Sequence, residues 1–220
     1  MSDPTIALVD ALSSPSGARD DDAHHWATQA IETGVRGVET NIPVHYRNAT
    51  VTDPVVAQWV RTLVAGSRSD THPVAAIRQG PSLLIVGSVG TGKTHQAYAA
   101  IRALSVSGAY CGWVFTSAAD CYAALRPRPG VDSEHEFERY SKAGLLVIDD
   151  LGAAKNSEWT EEINYRLINH RYEHERPTLI TSNVPPKQLA DALGARVASR
   201  LAEMTTQVVL KGPDRRRRSA

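Results

Sequence analysis

Residues 87–94 read GSVGTGKT and follow directly on the apolar run SLLIV (82–86). Gly87, Gly92, Lys93 and Thr94 fill every fixed place of G-x-x-x-x-G-K-[ST], a loop whose glycines let backbone N–H groups turn inward onto phosphates. A helix opening at Lys93 adds its positive end to that cradle. Average residue usage makes a chance match in a chain this long a roughly 1-in-100 event. The competing reading, a flexible glycine turn that happens to hold a lysine, does not account for the strand before it and the helix after it.

Outward from this loop, strand and helix alternate. SLLIVG reads as a buried strand and 93–107 as a helix closed by Gly108. GWVFTS (112–117) is a second strand, followed by a short helix to Arg126, and RPRPG (126–130) breaks the chain. SEHE (133–136) reads as a capping box opening another short helix. LLVIDD (145–150) is a third strand, and 157–175 a long helix stopped by Pro177. TLITSN (178–183) is a fourth strand, 187–204 holds two helices parted near Gly194, and TTQVVLKG (205–212) is a fifth strand. Strands so uniformly apolar, alternating with helices, predict an α/β fold with a parallel sheet covered on both faces. Ligands of such sheets bind at the carboxyl ends of the strands, where the polar residues stand here.

The front of the chain differs. Residues 1–23 are rich in Ser, Asp, Pro and Ala and are expected to be a disordered tail. Within it, TIALVDAL (5–12) has the apolar residues to form a helix on a partner. Residues 24–66 read as helical. In DPVVAQWVRTLVAG, Asp53 is the expected N-cap, Pro54 the first helical residue and Gly66 the stop. Val55, Val56, Trp59, Val60 and Leu63 give this helix an apolar face, and GSRSDTHP (66–73) is a loop.

Composition narrows the function. The 24 basic and 24 acidic side chains cancel, so contact with nucleic acid or membrane needs a local patch. Charge is unevenly placed, with RDDD at 19–22 and RRRR at 215–218. Two cysteines, Cys111 and Cys121, are too few for a disulfide framework or a four-ligand zinc site. No apolar run is long enough for a membrane span. The opening segment lacks a basic stretch and carries Asp10 among its apolar residues, so a cytoplasmic location is expected.

LLVIDD supplies the acids that a phosphate loop needs. A buried strand ending in two carboxylates is the Walker B arrangement. Asp149 is placed to hold Mg²⁺, and Asp150 to orient and polarise an attacking water. Asn183, at the end of the next strand, can hold that water beside a γ-phosphate; an ordinary turn asparagine is the other reading. Arg196 and Arg200 lie four apart in GARVASRLAEM, on one helical face. They are either a solvated basic stripe or an arginine finger offered to a neighbouring subunit's ATP. Arg215 and Arg216 follow the fifth strand, either as a basic tail or as a phosphate contact in cis.

The order of these motifs is that of an AAA+ ATPase, and the local wording goes further. GTGKTHQAYAAIRAL, LLVIDDLGAAK, YRLINHRYEHERPTLITSNVP and ARVASRLAEM resemble the DnaC/IstB family of helicase loaders and transposition helpers, over about residues 40–216. The resemblance implies a P-loop AAA+ core over 76–220 with a short helical N-terminal extension over 24–75. It implies an ATP contact set of Gly87, Gly90, Gly92, Lys93, Thr94 and His95, with adenine near NIPVHYRNATV (41–51). Thr94 and Asp149 match its Mg²⁺ ligands, Asp150 its second Walker B acid and Asn183 its sensor 1. Arg200 matches the finger with Arg196 in support, and Arg216 or Arg215 matches sensor 2. Family members assemble as rings or spirals, grip single-stranded DNA and deliver a replicative DNA helicase to it. Many carry a larger docking domain at the front, and one bacterial branch a zinc site that this chain lacks the ligands to build.

The expected function is therefore ATP-dependent loading of a replicative helicase onto single-stranded DNA, by a homo-oligomer with no membrane role. Alternatives are a transposition helper and a nucleotide-switched interaction protein with negligible turnover. A small-molecule kinase is disfavoured by the Asn183 and Arg200 pattern. For single-strand contact, Tyr122, Arg126, Arg128, Tyr140 and Lys142 combine cations with aromatics; a structural role is at least an equal alternative, with Tyr122 in the core. His170 and His174 have a metal-chelating spacing but no third ligand, so packed or solvated histidines are expected. Arg171 and Tyr172 read as packing or subunit contacts rather than DNA contacts.

Overall fold

The apolar runs become strands in a computed structural model that describes residues 20–68, 74–130, 132–153 and 157–214, with side chains from His24. They are β1 (Ser82–Gly87), β2 (Trp113–Ser117), β3 (Leu145–Asp149), β4 (Thr178–Ser182) and β5 (Thr205–Leu210). One sheet joins them in the order β2-β3-β4-β1-β5, with every pairing parallel. The helices are α1 (Asp20–Asn41), α2 (Pro54–Gly66), α3 (Lys93–Ser105), α4 (Ala118–Leu125), α5 (Ser133–Lys142), α6 (Glu158–Glu173), α7 (Leu189–Leu193) and α8 (Ala195–Met204). Parallel neighbours require crossovers, and α3 to α8, which follow β1, supply them. Every residue of β3 and β4 is buried, and all of β1 but Gly87, which accounts for the lack of polar alternation in their sequences.

The chain divides into two compact units. One holds the residues up to Gly80 together with His95–Gly112, the other Pro81–Thr94 and the residues from Trp113 on. This division cuts across the expected boundary at residue 76. The expected tail over 1–23 lies outside the described residues up to 19, and α1 already begins at Asp20.

In the first unit, Asp53 caps α2 as expected, its carboxylate accepting from Val55 N at 2.8 Å and Val56 N at 3.3 Å. Gly66 does not stop this helix but is its last residue. The stop is Ser67, whose backbone N–H and hydroxyl both donate to Val64 O. Gln96 on α3 is 2% exposed and secures the segment before α2. Its Oε1 accepts from Thr52 N and Asp53 N, each at 3.1 Å, while its Nε2 donates to Thr50 O at 3.2 Å.

In the second unit, one apolar cluster joins Leu84, Leu146, Ile148 and Ile180 of the sheet to residues of α4, α5, α6, α7 and α8. Helix α5 is capped by Asp132, whose carboxylate accepts from His135 N at 2.9 Å. The expected cap Ser133 is instead the first helical residue. A capping box does occur at α6, between Ser157 and Thr160. Gly194, at φ +88°, parts α7 from α8 as expected.

Arg171 on α6 is fully buried. Its guanidinium donates to Thr178 Oγ1 at 2.8 Å and Pro177 O at 2.7 Å. It also donates to Tyr140 O, Ser141 O and Ala143 O at 2.9, 3.2 and 3.0 Å. Burial, aided by the charge of Arg176, pulls it down to about 9, so it remains a cation at neutral pH. One side chain thus closes the end of α5 and the start of β4, the packing role expected of it. Half-buried His170 and exposed His174 stack on each other, with ring centroids 4.3 Å apart and planes 13° from parallel.

Candidate nucleotide site

The phosphate loop runs from the end of β1 into α3. At Gly87 the chain passes so close to β5 that a Cβ would lie 2.6 Å from Leu210 O and 2.8 Å from Thr91 Oγ1. Gly90 has φ +81°, and a Cβ there would also collide with the Asp214 carboxylate. The two glycines therefore let the loop fold under the end of β5. They also bring the segment after β5 against the loop at Gly90. Arg215 and Arg216, next in sequence, lie outside the described residues.

Lys93 is 6% exposed, and its ammonium donates to Gly87 O at 3.0 Å and Ser88 O at 3.1 Å. The lysine is thus tied to the loop that precedes it. Thr94 Oγ1 donates toward Asp149, with distances of 3.2 and 3.0 Å to the two carboxylate oxygens. This contact joins the first turn of α3 to the end of β3, as a shared metal site requires. Both groups are oxygen donors of the kind that suits Mg²⁺. His95, the next residue of α3, falls in the first unit.

A residue missed in the sequence completes the arrangement. Ile148 pairs with Ile180 in the sheet, so Asp149 and Thr181 come next on adjacent strands. Thr181 Oγ1 donates to Asp149 Oδ1 at 2.5 Å and accepts from Asp150 N at 3.0 Å. One buried hydroxyl therefore positions both acids. The available signal was its place in TLITSN, two residues before Asn183.

The two acids occupy unlike environments. Asp149 is 9% exposed. Burial holds its carboxyl above the ordinary aspartate value, and the Asp150 charge adds to the rise; the Thr181 and Thr94 hydrogen bonds and the Lys93 charge oppose it. Asp150 is exposed and takes φ +55°, a left-handed conformation that costs most residues and aspartate less. The turn carries it out of the sheet, away from the buried strand. Asn183 is exposed just past β4. The preceding Ser182 donates to Leu151 O at 2.6 Å and so links the two strand ends.

Arg196 and Arg200 stand apart from this set. Arg196 lies over the Tyr165 ring, 3.9 Å from its centroid, and Arg200 over Tyr172, at 4.4 Å. Arg200 also donates to Asn169 Oδ1 at 3.3 Å and pairs with Glu203 at 3.5 Å. All of these partners belong to α6 or α8 rather than the phosphate loop.

The expected single-strand cluster separates. Tyr140 is 2% exposed and belongs to the core, so it offers no stacking face. Lys142 pairs with Glu138 on α5 at 3.1 Å. Arg126 is exposed and lies 5.0 Å over the ring of half-buried Trp159, which Tyr122 meets edge-on at 6.2 Å. Trp159 is the aromatic that sequence reasoning missed, because it stands far along the chain on α6. Arg128 is exposed nearby in sequence.

Sheet order, phosphate loop and the acid-tipped β3 together define a P-loop NTPase of the AAA+ type. The chain belongs to the family of IstB-like ATP-binding proteins, whose family model matches residues 67–217. It is similar to the replicative helicase loader DnaC of Escherichia coli K12, with 28% identity over 123 residues, 54% of this chain and 49% of that protein. The match thus spans about half the length of that curated relative. Among solved structures, the DnaC helicase loader superposes with a TM-score of 0.62 at 28% identity, over 77% of this chain and 100% of that one. A replication initiator DnaA bound to AMPPCP and single-stranded DNA shares the fold, with a TM-score of 0.62 at 22% identity over 79% of this chain and 52% of that one. Among the described residues, no helix is long and apolar enough to cross a membrane, and no cluster of three His, Cys, Asp or Glu side chains could hold a metal.

Proposed function

We propose that the chain binds and hydrolyses ATP in a homo-oligomer and uses the cycle to load a replicative helicase onto single-stranded DNA. The observation that carries the ATPase reading is the chain of contacts from Thr94 through Asp149 to Thr181 and Asp150. Similarity to DnaC supports the helicase partner.

In this reading Lys93 and the loop N–H groups hold the β- and γ-phosphates, and Arg216 or Arg215 serves as sensor 2 in cis. Thr94 and Asp149 would hold Mg²⁺, which when bound would supply positive charge against the phosphate oxygens. Asp150 takes the proton of the water that attacks the γ-phosphorus, and the bond to the β-phosphate oxygen breaks. Asn183 holds that water in place. Arg200 comes from a second copy, backed by Arg196, and stabilises the charge on the transferring phosphoryl group. Single-stranded DNA lies along Arg126 and Arg128, with Trp159 as its stacking face.

The test is light scattering on a sizing column, with this protein mixed with the replicative helicase of its own genome, with and without ATP. A joint complex whose mass changes with nucleotide is expected. No complex, together with ATP-dependent self-assembly on DNA, would contradict helicase loading and favour the transposition helper.

A further inference from the structure

Helices α6 and α8 meet along two matched stripes. On α6 the residues are Tyr165, Asn169 and Tyr172; on α8 they are Arg196, Arg200 and Glu203. Both stripes have the i, i+4, i+7 spacing of one helical face, and the contacts run in step along them. Arg196 lies on Tyr165 and Arg200 on Tyr172. Asn169 Oδ1 accepts from Arg200 Nε at 3.3 Å. Glu203 closes the row, accepting from the Tyr172 hydroxyl with one oxygen and pairing with Arg200 Nη1 at 3.5 Å with the other.

We infer that Tyr172 is a positioning residue for the arginine finger, and that the ring and its Glu203 link hold Arg200 in one plane for the phosphates of the neighbouring copy. The inference rests on the shared-site reading above. An arginine side chain has many rotamers, and an unsupported finger loses that freedom each time it engages. Stacking fixes the guanidinium plane, and Asn169 and Glu203 fix its rotation within the plane. These contacts engage two of the three guanidinium nitrogens, Nε and Nη1. The side chain remains 34% exposed, so the finger is ordered and still accessible to a partner. Supporting the guanidinium before assembly lowers the ordering cost of the transition state, a gain in turnover rather than in ATP affinity.

The experiment measures steady-state turnover per bound nucleotide in wild type, Tyr172→Leu, Tyr172→Phe and Arg200→Ala, with bound nucleotide titrated separately. Dividing by bound nucleotide counts only folded sites, so a merely structural defect leaves the ratio unchanged. Tyr172→Leu is expected to lower the ratio about tenfold with nucleotide affinity unchanged, and Tyr172→Phe, which keeps the ring, to recover most of that loss. Loss in Arg200→Ala without loss in Tyr172→Leu would overturn the inference and leave the shared site standing. Equal loss in the Leu and Phe variants would overturn the role of the ring. Full turnover in Arg200→Ala would overturn the shared site and this inference with it.

Discussion

Arg171→Met is expected to destabilise the protein by about 4 kcal/mol or more, among the largest single-residue effects in the chain. The guanidinium is fully buried and meets no carboxylate; its partners are four backbone carbonyls and one hydroxyl. Removing it leaves Tyr140 O, Ser141 O and Ala143 O without this donor in a dry interior, each at a cost of roughly 1–3 kcal/mol, while Pro177 O keeps the Leu146 N–H at 3.3 Å. Arg171→Lys should fall between, because an ammonium has three donors and cannot span the same set. Urea or thermal unfolding measures both variants. A methionine variant that unfolds like wild type would show that these carbonyls find other partners.

Asp149→Asn is expected to abolish turnover while making the nucleotide-free protein more stable. The loss should reach about 10²–10³-fold, since the substitution removes the charged ligand expected at the metal. The stability effect has the opposite sign for a separate reason. Burial raises the Asp149 carboxyl above its reference of 3.8, so the folded state holds this proton more tightly than the unfolded chain does. Folding stability from this group is therefore greatest at low pH. It declines as pH rises from 3.8 through the raised folded value, and the full penalty persists at neutral pH. Asparagine carries no charge and can still pair with the Thr94 and Thr181 hydroxyls. Melting curves at several pH values, without nucleotide or metal, should show the variant gaining on wild type as pH rises. A variant that melts lower at neutral pH would mean that the hydrogen bonds to the ionised carboxylate outweigh its burial.

The parts legible in the sequence were those written in consecutive residues. The phosphate loop, the acids ending LLVIDD and the five apolar runs each need a short window, and each stands where it was expected. The helix caps show where local reading stops. Asp132 and Ser133 are both good capping residues, and which one caps depends on a single backbone angle pair. Thr181 was not legible because its role depends on β3 and β4 lying side by side in a particular register. Gln96 likewise acts on a segment more than forty positions earlier. Arg171, within NHRYEHER, reads as a packing or subunit contact, but the carbonyls it meets on α5 and before β4 depend on how those segments pack against α6. Trp159 and Arg126 come together only through the packing of α4 and α6. The proposed finger is the hardest case, since the role proposed for it involves a second copy of the chain.

That second copy is the central claim, and one measurement addresses it most directly. ATP turnover is recorded for Lys93→Ala alone, for Arg200→Ala alone, and for the two proteins mixed in equal amounts. Each alone should be nearly inactive, one lacking the phosphate lysine and the other the finger. In the mixture, an Arg200→Ala site beside a Lys93→Ala neighbour has both parts, and random assembly should restore about a quarter of wild-type turnover. Activity in the mixture no greater than the average of the two separate proteins would contradict a site shared between copies.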